Sequence, residues 1–189
     1  MKTYSQAGQD LFVINVLKQK QNGIFLDIGC NDPYKINNTY LLETEYNWNG
    51  ISIDYQHQDY SKRRCKFVQD DALKIDYISL LKENNLSNVI DYLSLDIDDL
   101  TLSCLVSLPL KEYKFRVITI EHDAYRLGEM LRTPMRAVLK DNGYQLICSN
   151  VCANLEYEDW WVHPSYVNVS EIEHLMCDRT DFKQIINKF

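Results

Sequence analysis

The sequence has no apolar run approaching the roughly 20 residues that span a bilayer. Its opening stretch, MKTYSQAGQD, lacks the basic-then-apolar pattern of a secretory leader. No membrane insertion is expected, and the chain reads as cytoplasmic. Cysteine occurs six times, as Cys30, Cys65, Cys104, Cys148, Cys152 and Cys177, but never as C-x-x-C. A zinc ribbon or thioredoxin-type motif is thereby excluded, and reduced thiols are expected. Positive charge is scarce: 20 Lys and Arg stand against 27 Asp and Glu, a net charge of −7. A nucleic-acid backbone needs a basic surface, so no nucleic-acid partner is expected. The one basic cluster, Lys62, Arg63, Arg64 and Lys66, reads as a solvated helix end. With no leader, the N-x-[ST] sequons at Asn37, Asn85 and Asn168 are chance matches. Internal repeats, low-complexity stretches and linkers are also missing.

The remainder is an ordinary globular composition, 46% hydrophobic and 25% charged over 189 residues. It suits a single domain over residues 1–189, and the length is equally compatible with one domain of a larger protein. Ser5 is a candidate N-cap for a helix over about residues 5–20, ended by Gly23. Strands are expected from Ile24, Ile51, Lys66, Val89, Phe115 and Tyr144, with helical stretches at about 39–46, 75–83 and 126–140. Gly50 separates the second helix from the second strand. Pro134 suggests a kink or two pieces in the long helix, which Asn142-Gly143 stops. The core runs over about 23–165, and the tail reads as a last strand or loop and a helix at about 169–178. Apolar strands alternating with helices imply right-handed crossovers and a mainly parallel α/β sheet covered on both faces.

Ligands bind outside the carboxyl ends of the strands in such sheets. Here an acid or amide closes nearly every strand: Asp27 to Asp32, Asp54, Asp70-Asp71, Asp96 to Asp99, and Glu121-His122-Asp123. Single acids among them read equally well as helix N-caps; five clusters on one rim read as a site. Gly29 lets the backbone approach a ligand, yet G-x-G-x-x-G is missing, which disfavours a dinucleotide and its pyrophosphate. A ligand with ribose and adenine but no phosphate fits better, and S-adenosylmethionine meets that description. Asp54 can accept both ribose hydroxyls, and Asp71-Ala72 can reach the adenine amino group, with Asp70 and Asp71 reading equally well as plainly solvated acids. Tyr55 is a candidate adenine cover.

Ser5-Gln6-x-Gly8-Gln9-Asp10, FLDIGCND followed by Asn38-Thr39 and Leu42-Glu43, DYLSLDID and ITIEHD together resemble the FkbM family of S-adenosylmethionine-dependent methyltransferases, over roughly residues 4–164. The resemblance implies a class I (Rossmann-like) fold of seven strands with a final antiparallel hairpin. It implies O-methylation, commonly of sugars or other hydroxylated metabolites. It places Asp27, Gly29 and Asn31 in the cofactor loop, Asp54 on the ribose and Asp96 beside the methyl group. The family more often shows Asp-x-Glu-Gly where this chain has Asp96-Ile97-Asp98-Asp99.

Carboxylates about 5 Å apart repel by roughly 3 kcal/mol at an effective dielectric near 20, so Asp96, Asp98 and Asp99 call for compensation. A divalent Mg or Mn held by Asp96, Glu121 and His122 would supply it and would lower the pKa of an attacking hydroxyl. Such a site resembles the catechol-type O-methyltransferases. Asp98 or Asp99 would complete the shell or act as base, with His122 a further catalytic candidate. Without metal, helix N-termini would stabilise Asp98 and Asp99, and His122 would be a satisfied structural histidine. Asp159-Trp160-Trp161-Val162-His163-Pro164 suggests either a sugar-stacking platform or core packing, with His163 a second-choice base. The leading expectation is methylation of a sugar hydroxyl, a deoxyhexose such as rhamnose on a glycan being plausible. The alternatives are a small non-sugar alcohol as acceptor, or a methyltransferase-like module that binds protein or glycan without catalysis.

Overall fold

The computed structural model describes residues 2–189. Five strands, interspersed with helices except between the second and third, fill the first two-thirds of the chain: β1 (Ile24–Ile28), β2 (Asn49–Asp54), β3 (Lys66–Gln69), β4 (Val89–Leu95) and β5 (Lys114–Glu121). The helices are α1 (Gln9–Val16), α2 (Tyr40–Tyr46), α3 (Tyr77–Glu83) and α4 (Thr101–Ser107). After β5 come α5 (Ala124–Leu127), α6 (Glu129–Asp141), the hairpin β6 (Gln145–Cys152) and β7 (Glu156–Val162), the short edge strand β8 (Cys177–Asp178) and α7 (Phe182–Ile186). The strands form one sheet in the order β3-β2-β1-β4-β5-β7-β6-β8, with only β7 antiparallel to its neighbours. The order reverses between β1 and β4, so a crevice opens at their carboxyl ends.

Successive residues on a strand point to opposite faces, which sorts the core into two layers. Phe25, Tyr92, Val117, Trp160 and Val162 pack with Phe12 of α1 and Leu42 of α2 on one face. Leu26, Ile28, Leu93, Ile118 and Trp161 pack with Leu81, Leu105 and Leu139 on the other. Near the crevice the first face turns polar: Asp27 neighbours Ser94 across β1 and β4, Ser94 neighbours Thr119, and Glu121 neighbours Glu158. The alternation that builds the core thus carries a row of acids onto the face beneath α1.

Several expected boundaries shift for local reasons. Ser5 does not cap α1. Its hydroxyl hydrogen-bonds Asp10, and Gly8 at φ +76° starts the helix. The helix stops at Val16, well short of residue 20. The long helix does divide, but at Gly128 (φ +59°) rather than at Pro134, which α6 accommodates. Gly50 lies within β2. The tail forms 3-10 turns at Val169–Glu171 and Glu173–Leu175, then β8, instead of a helix over 169–178. That strand raises the count from seven to eight. No helix is long and apolar enough to cross a membrane among the described residues.

Candidate functional site

A cavity of about 550 Å³ opens at the reversal point, between the ends of β1, β2, β3 and β4. Its floor depends on Gly29. At φ +84° the residue sits where L side chains are strained, and a Cβ there would lie 1.7 Å from the Asp96 carbonyl oxygen. Asn31 follows at φ +46° and donates its backbone N–H to Asp54 Oδ2 at 2.9 Å, while the Gln56 N–H reaches Asp54 Oδ1 at 2.9 Å. Two backbone donors therefore fix the Asp54 carboxylate and leave lone pairs facing the cavity. Asp71 is held likewise by the Leu73 N–H at 3.0 Å and by Lys74, and Ala72 lies beside it on the wall. Tyr55 lines the mouth and is 71% exposed, so its ring is available as a cover.

Asp27, Asp54, Asp70, Asp71 and Asp96 all line this cavity, with Gln6, Asn31 and Asn38; among the described residues no Lys, Arg or His does. Asp27 is buried beneath it and accepts a hydrogen bond from Thr39 Oγ1 at 3.0 Å; burial pushes its carboxyl up to about 6. Such a cavity suits a ligand that brings positive charge and hydroxyl donors, and repels phosphate.

Asp96 and Glu121, at the ends of adjacent parallel strands, come together as expected and hydrogen-bond side chain to side chain. Burial, with the Asp96 hydrogen bond and charge added, pushes Glu121 up to about 11, and burial raises the Asp96 carboxyl as well. Glu158 faces Glu121 from β7, accepts from Trp160 Nε1 at 2.8 Å, and is pushed up to about 8 by burial. Sequence reasoning missed Glu158. Its signal was the alternation Glu158, Trp160, Val162, legible as a face only once β7 is paired with β5.

His122 does not join this group. It follows Glu121 on extended backbone and points to the opposite face, where it is 1% exposed. Its Nδ1 accepts from the Ala124 N–H at 3.1 Å and its Nε2 faces Asp159 Oδ1 at 3.4 Å. The set Asp96, Glu121 and His122 therefore cannot converge on one ion, and His122 has no route to a substrate. The residue that returns to the Glu121 side is Asp123. Asp98, Glu121 and Asp123 can each bring one carboxylate oxygen within 4.8 Å of the others.

The compensation for Asp98 and Asp99 is Arg126. Its Nη2 lies 2.6 Å from Asp99, 2.6 Å from Asp123 and 3.8 Å from Asp98. Asp123 Oδ1 is buried and has no hydrogen-bond partner. Residues 62–66 form no helix end: Arg63 is buried against Glu43 at 3.1 Å, and Arg64 binds Asn47 and the Glu43 carbonyl.

Trp160 and Trp161 are both fully buried, one on each core, so they form no platform for a sugar. Asp159 is bound bidentately by Arg136 at 2.7 and 2.8 Å and also accepts from the Asn150 N–H. Burial alone would raise its pKa, but the Arg136 and His122 hydrogen bonds outweigh it and hold Asp159 down to about 2. His163 packs edge-on to Tyr144 at 5.0 Å, at the opposite end of β7 from Glu158.

No family model and no curated protein matches the sequence. Solved structures do match. An rRNA methylase from Streptococcus thermophilus aligns at TM-score 0.52 and 11% identity, covering 86% of this chain and 98% of that one. A Plasmodium falciparum protein assigned as a ribosomal RNA methyltransferase aligns at 0.52 and 17% identity, covering 85% and 97%. A Clostridium thermocellum protein assigned as an rRNA methylase gives 0.53 at 13% identity, covering 86% and 97%. At these identities the likeness is one of fold, and the fold is that of class I S-adenosylmethionine-dependent methyltransferases.

Proposed function

We propose that the protein is an S-adenosylmethionine-dependent O-methyltransferase acting on a hydroxyl of a sugar. The observation that carries the reading is the acid-lined, cation-free cavity at the reversal point of a class I sheet. When bound, S-adenosylmethionine supplies a methyl group on a cationic sulfonium, and its ammonium adds a second positive charge. Asp27 offers carboxyl oxygens to that ammonium, Asp54 to the ribose hydroxyls, and Asp71 to the adenine amino group, with Tyr55 closing the mouth. The likeness of its motifs to the FkbM family supports the same cofactor and a hydroxyl acceptor.

On the acceptor side, a neutral hydroxyl must lose its proton during attack. Asp96, paired with Glu121, lines the cavity wall and is the group assigned to receive it, with Glu158 behind. A divalent ion, Mg or Mn, fits the chain in a set corrected from the expected one: Asp98, Glu121 and Asp123, all hard oxygen donors. The unpartnered buried Asp123 Oδ1 supports that fit. Glu121 would give up its proton and Arg126 would yield part of its hold on Asp123. RNA, named for the fold neighbours, does not suit this rim, because Asp54, Asp70 and Asp71 would all repel a phosphate backbone.

The test is calorimetric titration of S-adenosylmethionine and of its demethylated product into wild type and Asp54→Ala. Micromolar binding is expected, weakened at least about tenfold in the variant by loss of charge-assisted hydrogen bonds. Absence of binding to folded wild type would refute the transferase and leave a non-catalytic module. A screen of sugar and small-alcohol acceptors then tests the substrate class.

A further inference from the structure

The two outermost strands on the β8 side place two free cysteines opposite each other. Cys148 of β6 and Cys177 of β8 are register partners in a parallel pair. Partners on adjacent strands lie ~4.8 Å apart, inside the ~4.4–6.8 Å between Cα atoms that a disulfide spans. Side chains of a register pair leave the sheet on the same face, and here Cys148 belongs to the core beneath α1 with Cys177 packed against that core. The Cys148 S–H rotor serves either the Leu175 carbonyl oxygen at 3.4 Å or the Cys177 sulfur. Cys148 is fully buried, whereas Cys177 is partly exposed.

We propose that Cys148 and Cys177 form a reversible disulfide that pins the C-terminal segment to the sheet, with a hydroperoxide as the oxidant. The environments divide the roles. The hydrogen bond from Cys148 lowers Cys177 to about 7, so its thiolate is populated near neutrality, while the same bond and burial push Cys148 up. The Cys177 thiolate attacks the distal peroxide oxygen and the O–O bond breaks. Cys177 becomes a sulfenic acid, and the alkoxide leaves and takes up a proton. Cys148 sulfur then attacks the sulfenic sulfur as its own proton departs, the S–O bond breaks, and water leaves. The two thiols have given two electrons to the peroxide, and a dithiol reductant returns them.

The bond would be felt beyond the edge strand. α7 follows β8 and presses Ile186 and Phe182 onto Gly8, where a Cβ would lie 2.8 Å from Ile186. Gly8 begins the helix between Gln6, which lines the cavity, and Gln9, which hydrogen-bonds Tyr157. Pinning β8 therefore stiffens the support of the cavity's N-terminal wall.

The experiment treats the reduced full chain with hydrogen peroxide at equimolar dose. It is followed by intact mass, thiol counting, peptide mapping and thermal melting of wild type, Cys177→Ser and Cys152→Ser. Expected are a loss of two hydrogens and two of the six thiols, with a mapped Cys148–Cys177 link. Tm should rise by about 10 °C from closing the intervening loop. Dithiothreitol should reverse the change, which should be missing in Cys177→Ser and retained in Cys152→Ser. Six titratable thiols after treatment, a link mapping elsewhere, or direct passage of Cys177 to sulfinic acid would each overturn the proposal. Amide exchange over residues 5–9 that does not slow on oxidation would overturn the coupling to the cavity wall.

Discussion

Replacement of Asp27 by Asn should stabilise the protein at neutral pH while weakening its hold on the ligand. Asp27 is 2% exposed and has no cation in contact. Burial is the largest influence on its carboxyl, and the hydrogen bonds from Ser94 and Thr39 and the charge of Arg63 only partly offset it. Its pKa is raised from 3.8 to about 6 in the folded chain. A raised folded pKa means that the native state binds the proton more tightly than the unfolded state. The contribution is fully present below pH 3.8 and is lost as pH rises through about 6. At 1.4 kcal/mol per tenfold, the loss approaches about 3 kcal/mol by pH 8. Asn keeps an acceptor for Thr39 Oγ1 and never ionises. Urea melts at pH 4, 5, 6, 7 and 8 should therefore show the two proteins diverging. The gap between Asp27→Asn and wild type should grow by about 2–3 kcal/mol from pH 4 to pH 8, or by about 6 °C in Tm. Parallel pH profiles would refute the reasoning, because other titrating groups cancel in the difference. The same variant should bind S-adenosylmethionine about tenfold more weakly, from loss of one charge-assisted contact.

Gly29→Ala should cost about 3 kcal/mol or more in urea melts, combining positive-φ strain with a collision against the Asp96 carbonyl; a cost under 1 kcal/mol would mean that the β1 and β4 ends sit farther apart than described. Arg136→Ala should destabilise by about 3 kcal/mol, since it strips the buried Asp159 of a bidentate partner and leaves only His122 and the Asn150 N–H. That loss should leave cofactor affinity unchanged in calorimetry, because Asp159 lies on the face away from the cavity. Asp123→Asn should remove Mn²⁺ binding in an electron paramagnetic resonance titration, and His122→Asn should not; the reverse result would restore the ligand set first expected from sequence.

Local pattern was enough to find β1 to β6, the acids at the ends of the first five, and Gly29 as a point of close backbone approach. These depend on which residues are neighbours in the chain, and side-chain alternation, β-branching and turn chemistry are written there. The missing G-x-G-x-x-G motif likewise disfavoured a dinucleotide, and the net charge a nucleic-acid partner, before any cavity was visible. What lay beyond the chain's local order was which acids share a face and what neutralises them. Alternation past β5 sends Glu121 and His122 to opposite faces, but only the register of β7 against β5 brings Glu158 to Glu121 and Asp159 to His122. Only the turn at Asp123 (φ +49°), which starts α5, and the packing of α5 against β7 place Arg126 among Asp98, Asp99 and Asp123. Pairing across strands separated by tens of residues is set by the best mutual burial of both faces. That global compromise, rather than any local signal, decided that some of the clustered acids would meet an arginine and that others would face one another in a buried pair.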